Sequence, residues 1–206
     1  MNSKGVLTVV SGFSGAGKGT IMKRLIEKYD NYALSVSATT RSPRPGEEEG
    51  ISYFFVETET FEQMIRDDAL IEYARYVDNY YGTPKTYVES KLSEGRDVIL
   101  EIEIQGALKV KERYPDTLLL FVTAPSVQEL KKRLIGRGTE TEQVIEDRLK
   151  RAVEEAEGMD RYDYLIVNDD LETAVDTVHQ IIQAEHLQCT RNRTFINQIK
   201  EELKGE

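Results

Sequence analysis

The chain has 206 residues, 39% hydrophobic and 31% charged, enough to bury a full core and sized for one domain with insertions. Its 27 basic against 37 acidic residues give a formal charge of −10, which excludes nonspecific nucleic-acid binding through a basic surface. No apolar run reaches the length of a membrane span, and Met1-Asn2-Ser3-Lys4-Gly5 carries no secretory apolar region. The single Cys189 can form no internal disulfide, so a reducing, cytoplasmic home is expected, with neither nucleic acid nor membrane as a partner.

The first element predicted is a strand over Val6, Leu7, Val9 and Val10, followed by a helix over about 19–29. Between them lies Gly12-Phe13-Ser14-Gly15-Ala16-Gly17-Lys18-Gly19-Thr20, a G-x-x-x-x-G-K motif in the strand–loop–helix setting that makes it a phosphate cradle. The glycines permit a tight turn with backbone N–H groups pointing inward, and the helix offers its positive dipole end. Lys18 adds a mobile charge for the outer phosphates. The generic motif places Ser or Thr directly after the lysine to ligate magnesium; here Gly19 stands there, and Thr20 comes one later. The Gly-Lys-Gly-Thr ending resembles the nucleoside monophosphate kinases, and it implies Mg2+ held mainly by nucleotide oxygens and water.

Ala33 to Val36 reads as a short strand, and residues 37–47 as an irregular loop rich in Pro, Gly and hydroxyls. Strands are expected over 51–56 and 70–77, around a helix whose apolar positions are Phe61, Met64 and Ile65, with caps from Thr58-Glu59-Thr60. Tyr80 to Pro84 reads as a loop, and 85–94 as a helix. Within this segment Arg41 and Arg44, three apart in a Pro-containing loop, suit bidentate phosphate capture, and Tyr53 and Tyr81 could add phenolic donors. Taken alone these are equally solvated arginines and packing tyrosines; occurring together behind a phosphate loop gives them weight.

Asp97 to Ile102 reads as a buried parallel strand, then a helix to about Arg113 and a strand over Leu118 to Val122. Helices follow to about Ile135 and over about 141–157, then a strand over Tyr164 to Val167. Asn168-Asp169-Asp170 caps a closing helix to about 187. Strand alternation puts Glu101 and Glu103 on one face, reaching toward magnesium or substrate. The rhythm implies an α/β fold, a parallel sheet with helices on both faces. His179 and His186, seven apart on the closing helix, read as surface or packing residues.

Several runs resemble the guanylate kinase family, in the family's order from about residue 5 to 187. They are Ser37 to Glu47, Phe55 to Thr58, Ile71-Glu72-Tyr73, Asn79 to Thr83, Glu101 to Gly106, Gly136 to Glu140 and Val167 to Asp170. The resemblance implies a P-loop nucleoside monophosphate kinase fold of bacterial type. Its core would be 1–36, 93–125 and 159–189, with a GMP-binding insertion at 37–92 and a lid at 126–158. A C-terminal tail at 190–206 lies outside the resemblance. It implies transfer of the terminal phosphate of ATP to GMP, and to dGMP, with Mg2+. Matching positions make Ser37, Arg41, Arg44, Tyr53, Glu72, Tyr81 and Thr83 GMP-binding residues. Arg133, Arg137 and Arg148 fall at the lid arginines, and Asn168 and Asp169 beside the adenine of ATP.

Guanine offers N1–H and N2–H2 as adjacent donors, which a carboxylate such as Glu72 can accept, while Ser37 or Thr83 can donate to O6. Lys18, Arg44, Arg137 and Arg148 are the candidates for neutralising the moving phosphoryl group. No direct metal ligand is assigned; Thr20, Glu101 and Glu103 are the candidates. Family members often carry Asp at one or both of the Glu101 and Glu103 positions. Two other readings stay open: an inactive guanylate kinase-like interaction domain, and a kinase for another phosphorylated acceptor. The pattern does not distinguish a monomer from a homo-oligomer.

Overall fold

The computed structural model describes residues 4–76, 78–136 and 142–205, and no side chains at 76 or 142–146. Its main sheet holds five parallel strands in the order β2-β7-β1-β8-β9. These are β1 (Leu7–Gly12), β2 (Tyr32–Leu34), β7 (Asp97–Glu101), β8 (Leu118–Thr123) and β9 (Tyr164–Val167). Alternation along β1 sends Val10 to one face and Leu7 and Val9 to the other. Val10 packs with Ile21, Met22 and Leu25 of α1 (Lys18–Lys28) and with Val175, Val178 and Ile182 of α7 (Leu171–Glu185). Leu7 and Val9 pack with Val88 and Leu92 of α3 (Lys85–Ser93) and with Ala107 and Val110 of α4 (Ile104–Arg113). The expected layers, helices on both faces of a parallel sheet, are therefore present. α5 (Val127–Ile135) and α6 (Glu142–Ala156) follow β8, and a short 3-10 turn (Met159–Arg161) leads into β9.

A second sheet stands beside the first, in the order β4-β3-β6-β5. It comprises β3 (Ala38–Thr39), β4 (Phe54–Phe55), β5 (Leu70–Tyr76) and β6 (Asn79–Pro84), with α2 (Thr58–Arg66) packed through Phe61. Several local expectations change here. The segment Tyr80 to Pro84 is a strand, because Tyr81 and Gly82 pair with Ala74 and Tyr73 of β5 and with Thr39 and Ala38 of β3. Gly82 suits this central position because a Cβ there would lie 2.8 Å from the Glu72 carbonyl oxygen. Ala38–Thr39, expected as loop, pairs on both sides, while only Phe54–Phe55 of the expected strand 51–56 joins the sheet. Just before it the chain turns at Gly50 (φ 74). The residue capping α2 is Glu57, with no side-chain cap bond, in place of the Thr-rich cap expected. The Asp170 cap of α7 is present, accepting from Thr173 N at 2.9 Å.

His186 and His179 serve packing, as expected. His186 Nε2 lies 2.8 Å from Oδ1 of the buried Asp97, which also accepts from Val6 N at 2.8 Å. His179 stacks on Tyr29 at 3.7 Å. The tail forms α8 (Arg193–Lys204), none of whose residues is buried.

Candidate active site

The loop between β1 and α1 takes its shape from glycines at positive φ. Gly12 has φ 149, and a Cβ there would lie 2.0 Å from the Val122 carbonyl oxygen, so no larger residue fits between β1 and β8. Gly15 (φ 85) and Gly17 (φ 92) complete the turn. Gly17 is the left-handed N-cap of α1 and supplies no side-chain cap, so the first amides of the helix face the loop interior without a side-chain acceptor from the cap. Ala16 N donates to Phe13 O at 3.0 Å, and Lys18 Nζ donates to Gly12 O at 2.6 Å and Phe13 O at 3.2 Å. The lysine thus folds back over the loop that a phosphate chain would fill.

Two predicted residues brace this loop from outside. Asn168, buried at the end of β9, donates from Nδ2 to Ala16 O at 2.8 Å, and its own carbonyl accepts from Arg133 Nη1 at 3.0 Å. A Cβ on Gly17 would lie 2.3 Å from that Nδ2, so the loop glycine and the asparagine are fitted to one another. Arg148 of α6 donates to Ser14 Oγ at 2.6 Å, bringing the helix onto the loop. Asp169 is exposed beside Asn168. Arg137 lies outside the described residues.

A cavity of about 490 Å³ opens in front of Lys18. From the main sheet it is lined by Gly12, Lys18, Ile99, Glu101 and Glu103, and from the approach to the second sheet by Ser35, Ser37, Ser52 and Tyr53. β7 ends at Glu101 and Glu103 precedes α4, so the two carboxylates flank a strand-to-helix turn and do not sit on one strand as expected. Both still face the cavity. A Cβ on Gly19 would lie 3.9 Å from Glu101 Oε2, so this carboxylate faces the place where the generic motif carries a hydroxyl. Burial against the cleft wall raises the Glu101 carboxyl above its ordinary range although the residue keeps a solvent-exposed face; Lys18 lowers it in part.

Across the cavity, Arg41 is gripped by Glu47 through two bonds, Nη1 to Oε2 at 2.9 Å and Nη2 to Oε1 at 2.8 Å. That pair holds the Glu47 carboxyl down at about 2, with the Arg44 amide helping. The Arg41 guanidinium lies 5.3 Å from the Tyr53 ring centroid, and Tyr53 meets Tyr81 edge-on at 6.1 Å. Arg41, Tyr53 and Tyr81 are therefore one cluster; Arg44 is exposed at its edge, tied in through its backbone amide to Glu47. Glu72 of β5 accepts from Thr83 Oγ1 of β6 at 2.8 Å. Burial raises the Glu72 carboxyl, and the Thr83 bond counters part of that shift. Its other oxygen faces Gly106, where a Cβ would lie 3.5 Å away.

Four groups at this site had no local signal. Ser35 and Ser52 sit in segments read only as strands, and Glu47 was read only as the end of the 37–47 loop. Glu155 of α6 falls in a helix read only by its span, yet burial, and then Glu103, push its carboxyl up to about 7. A second cavity of about 400 Å³ lies away from the loop, by Lys111, Asp163, Glu185 and Arg191. Two ion pairs lie along it, Lys111 to Asp163 at 2.9 Å and Arg191 to Glu185 at 3.8 Å.

This geometry has counterparts. The family model described as "Guanylate kinase" matches residues 4–185. The chain is 51% identical over 191 residues to a guanylate kinase of Oceanobacillus iheyensis, covering 93% of both chains. It is 50% identical over 202 residues to that of Caldanaerobacter subterraneus, covering 98% of both. A crystal structure of guanylate kinase from Anaplasma phagocytophilum superposes with a TM-score of 0.72 at 35% identity, over 92% of this chain and 90% of that one. With the phosphate loop, the second sheet and the intervening cavity all present in a chain matched along nearly its full length, this protein belongs to the guanylate kinase family.

Proposed function

We propose that this chain transfers the terminal phosphate of ATP to GMP, and to dGMP, giving ADP and the guanosine diphosphate, in purine nucleotide metabolism. The observation that carries this reading is the cavity in which Lys18 and Gly12 of the phosphate loop face Ser37 and Tyr53. Its chemistry needs no catalytic base, since a monophosphate oxygen with a second pKa of about 6 is already largely ionised at neutral pH. Catalysis reduces to in-line positioning and charge neutralisation. The loop amides and Lys18 hold the donor phosphates. Arg41 and Arg44, with the phenols of Tyr53 and Tyr81, hold the acceptor phosphate. Arg148, already on Ser14 of the loop, brings a positive charge from α6 to the transferring group, and Arg133 and Arg137 are the further arginines the family resemblance assigns to this task. In this reading residues 126–158 are a lid and 37–92 the acceptor-binding insertion.

For the base, Glu72 accepts guanine N1–H and N2–H2. A hydroxyl has one proton, and Thr83 gives its proton to Glu72. Ser37 is therefore the better donor to guanine O6, with Thr83 fixing the carboxylate. On the donor side, Asn168 shapes the loop from behind and Asp169 stands beside it for the adenine.

The donor set fits magnesium: Glu101 and Glu103 offer hard carboxylate oxygens at the cavity, and Glu101 faces Gly19 where a ligating hydroxyl is missing. Bound there with nucleotide phosphates and water, the ion would neutralise charge on the donor phosphates; Thr20 is the remaining hydroxyl candidate. No helix among the described residues is long and apolar enough to cross a membrane. Cys189 forms no disulfide within the chain, and we read the protein as a cytoplasmic enzyme.

The test is an acceptor panel of GMP, dGMP, AMP, UMP and IMP with magnesium-ATP, read by ADP release. Rapid turnover is expected with GMP and dGMP, and little with AMP or UMP. Failure of every acceptor would favour a protein-interaction domain of the same fold, and preference for a non-guanine acceptor would displace the assignment of Glu72.

A further inference from the structure

Arg44-Pro45-Gly46-Glu47 makes a tight turn in which Glu47 N donates to Arg44 O at 3.0 Å. Proline in second place and glycine in third (φ 86) are the residues that a type II turn favours. The turn brings the Glu47 side chain back six positions along the chain to Arg41. There its two oxygens accept three bonds. Oε1 accepts from Arg41 Nη2 at 2.8 Å, and Oε2 accepts from Arg41 Nη1 at 2.9 Å and from Arg44 N at 2.7 Å. Arg41 Nη1 also donates to Ser42 O at 2.8 Å. One carboxylate thus ties the side chain of one arginine to the backbone of the other.

A carboxylate beside a phosphate site has a cost, since it repels the ligand. An exposed ion pair between flexible chains also stabilises little. This pair differs in being bidentate, with the Arg41 side chain only 14% exposed. A guanidinium carries five N–H donors in one plane. Glu47 and Ser42 take three of them, all at the Nη1–Nη2 end. The edge formed by Nε and the second Nη2 proton lies outside that fork, and it is a second bidentate face suited to phosphate. The Tyr81 phenol acts on the same guanidinium, and the Tyr53 and Phe55 ring centroids lie 5.3 and 6.0 Å from it. Arg41 is therefore fixed in plane and position before a ligand arrives. Without the fork a long, rotamer-rich side chain would have to be ordered on binding, which weakens affinity by about tenfold. The repulsion is the smaller effect, because Arg41 neutralises the carboxylate at hydrogen-bond distance.

We propose that Glu47 is a positioning residue for the acceptor phosphate. Its carboxylate holds the Nη1–Nη2 end of Arg41 and so presents the Nε–Nη2 edge to the phosphate of GMP. The inference rests on the phosphotransferase reading above, and it assigns Glu47 no contact with either nucleotide. Arg41 grips a phosphate that stays with the acceptor throughout the reaction. The effect of Glu47 therefore falls mainly on acceptor binding and little on the chemical step.

Glu47→Gln keeps the size of the side chain but turns an N–H2 group toward donors where the second oxygen accepted. Calorimetric titration should show GMP bound about tenfold more weakly, and guanosine, which has no phosphate, within about twofold of wild type. KM for ATP should stay within about twofold and kcat within about threefold. Arg41→Lys keeps the charge but cannot take the fork, and should weaken GMP binding by a similar factor. The double variant should bind GMP no more weakly than the worse single variant. Unchanged or tighter GMP binding in Glu47→Gln would show a carboxylate that merely competes with the phosphate, and would overturn the proposal. Equal losses for GMP and guanosine would mean that Glu47 only supports the loop, and additive losses in the double variant that the two residues act independently; either overturns it. If Glu47→Gln gives no cooperative thermal melt, Arg41→Lys carries the test alone, and wild-type affinity for GMP there would overturn the proposal. A wild-type chain that makes no ADP with GMP would sink the phosphotransferase reading itself. An active wild type whose Glu47→Gln variant binds GMP normally would sink only this inference.

Discussion

Lys18→Ala is expected to lower kcat for GMP phosphorylation by about 10³-fold while leaving GMP affinity within a few fold, the loss typical of removing a preorganised charge from a phosphoryl-transfer site. The lysine belongs to α1, yet its ammonium group returns to the Gly12 and Phe13 carbonyls and so lies over the loop. Those two bonds hold the charge in place before any nucleotide arrives, and a phosphate chain entering the loop exchanges neutral carbonyls for anionic oxygens. The alanine variant loses the charge and keeps the glycine-built turn, whose shape depends on Gly12, Gly15 and Gly17. GMP binding should survive because the acceptor cluster of Arg41, Tyr53 and Tyr81 belongs to a different sheet and approaches from the other side of the cavity. Steady-state kinetics together with calorimetric titration of GMP into the variant measures both quantities. Equal losses in kcat and GMP affinity would show that Lys18 serves the fold of the site as a whole.

Glu72→Gln should separate recognition from stability. A glutamine offers one acceptor and an N–H2 group, and the latter opposes guanine N2–H2 where the carboxylate accepted. Because both groups are then buried without partners, kcat/KM for GMP should fall by about 10²–10³-fold, with KM for ATP within about twofold. Preference for GMP over AMP should narrow, since adenine presents no N2 donor. The fold should not suffer. Burial holds the Glu72 carboxyl above its ordinary range, so between the unfolded and folded pKa the native state retains a proton that the unfolded chain has released. That linkage favours the native state at low pH and removes stability as pH rises through the folded pKa. Glutamine has no such dependence and can still accept from Thr83 Oγ1. Thermal melts should therefore show the variant no less stable than the wild type above neutral pH, with its advantage shrinking as the medium is acidified. A large loss of stability across the whole range would mean that Glu72 is a structural carboxylate.

The phosphate loop was legible because its chemistry is local. Positive φ at Gly15 and Gly17 and the close passage of Val122 at Gly12 each demand glycine at one fixed place in the chain. The parallel core was legible for a similar reason, since Leu118 to Val122 and Val98 to Leu100 are apolar runs buried on both faces. The second sheet was harder to read. Asn79-Tyr80-Tyr81-Gly82-Thr83-Pro84 has turn composition, and it becomes a strand only through pairing with β3 and β5, an interaction the local pattern does not carry. The same holds for Ala38–Thr39.

At the site, Glu72, Thr83 and Ser37 were legible only through family resemblance, because a single strand carboxylate or loop serine has no period or spacing of its own. Glu155 was missed altogether. Glu155 sits in a helix read only by its span, and the Glu103 carboxylate that acts on it lies more than fifty positions away in the chain. Glu47 was equally silent, since its fork on Arg41 depends on how the loop turns between them.

The most direct measurement is a crystal structure of the protein with a compound joining adenosine and guanosine through a polyphosphate chain. The account predicts the guanine edge within about 3.2 Å of the Glu72 carboxylate, and the phosphate chain running through the Gly12–Thr20 loop against Lys18. Guanine bound away from Glu72, or a loop that holds none of the phosphates, would contradict it.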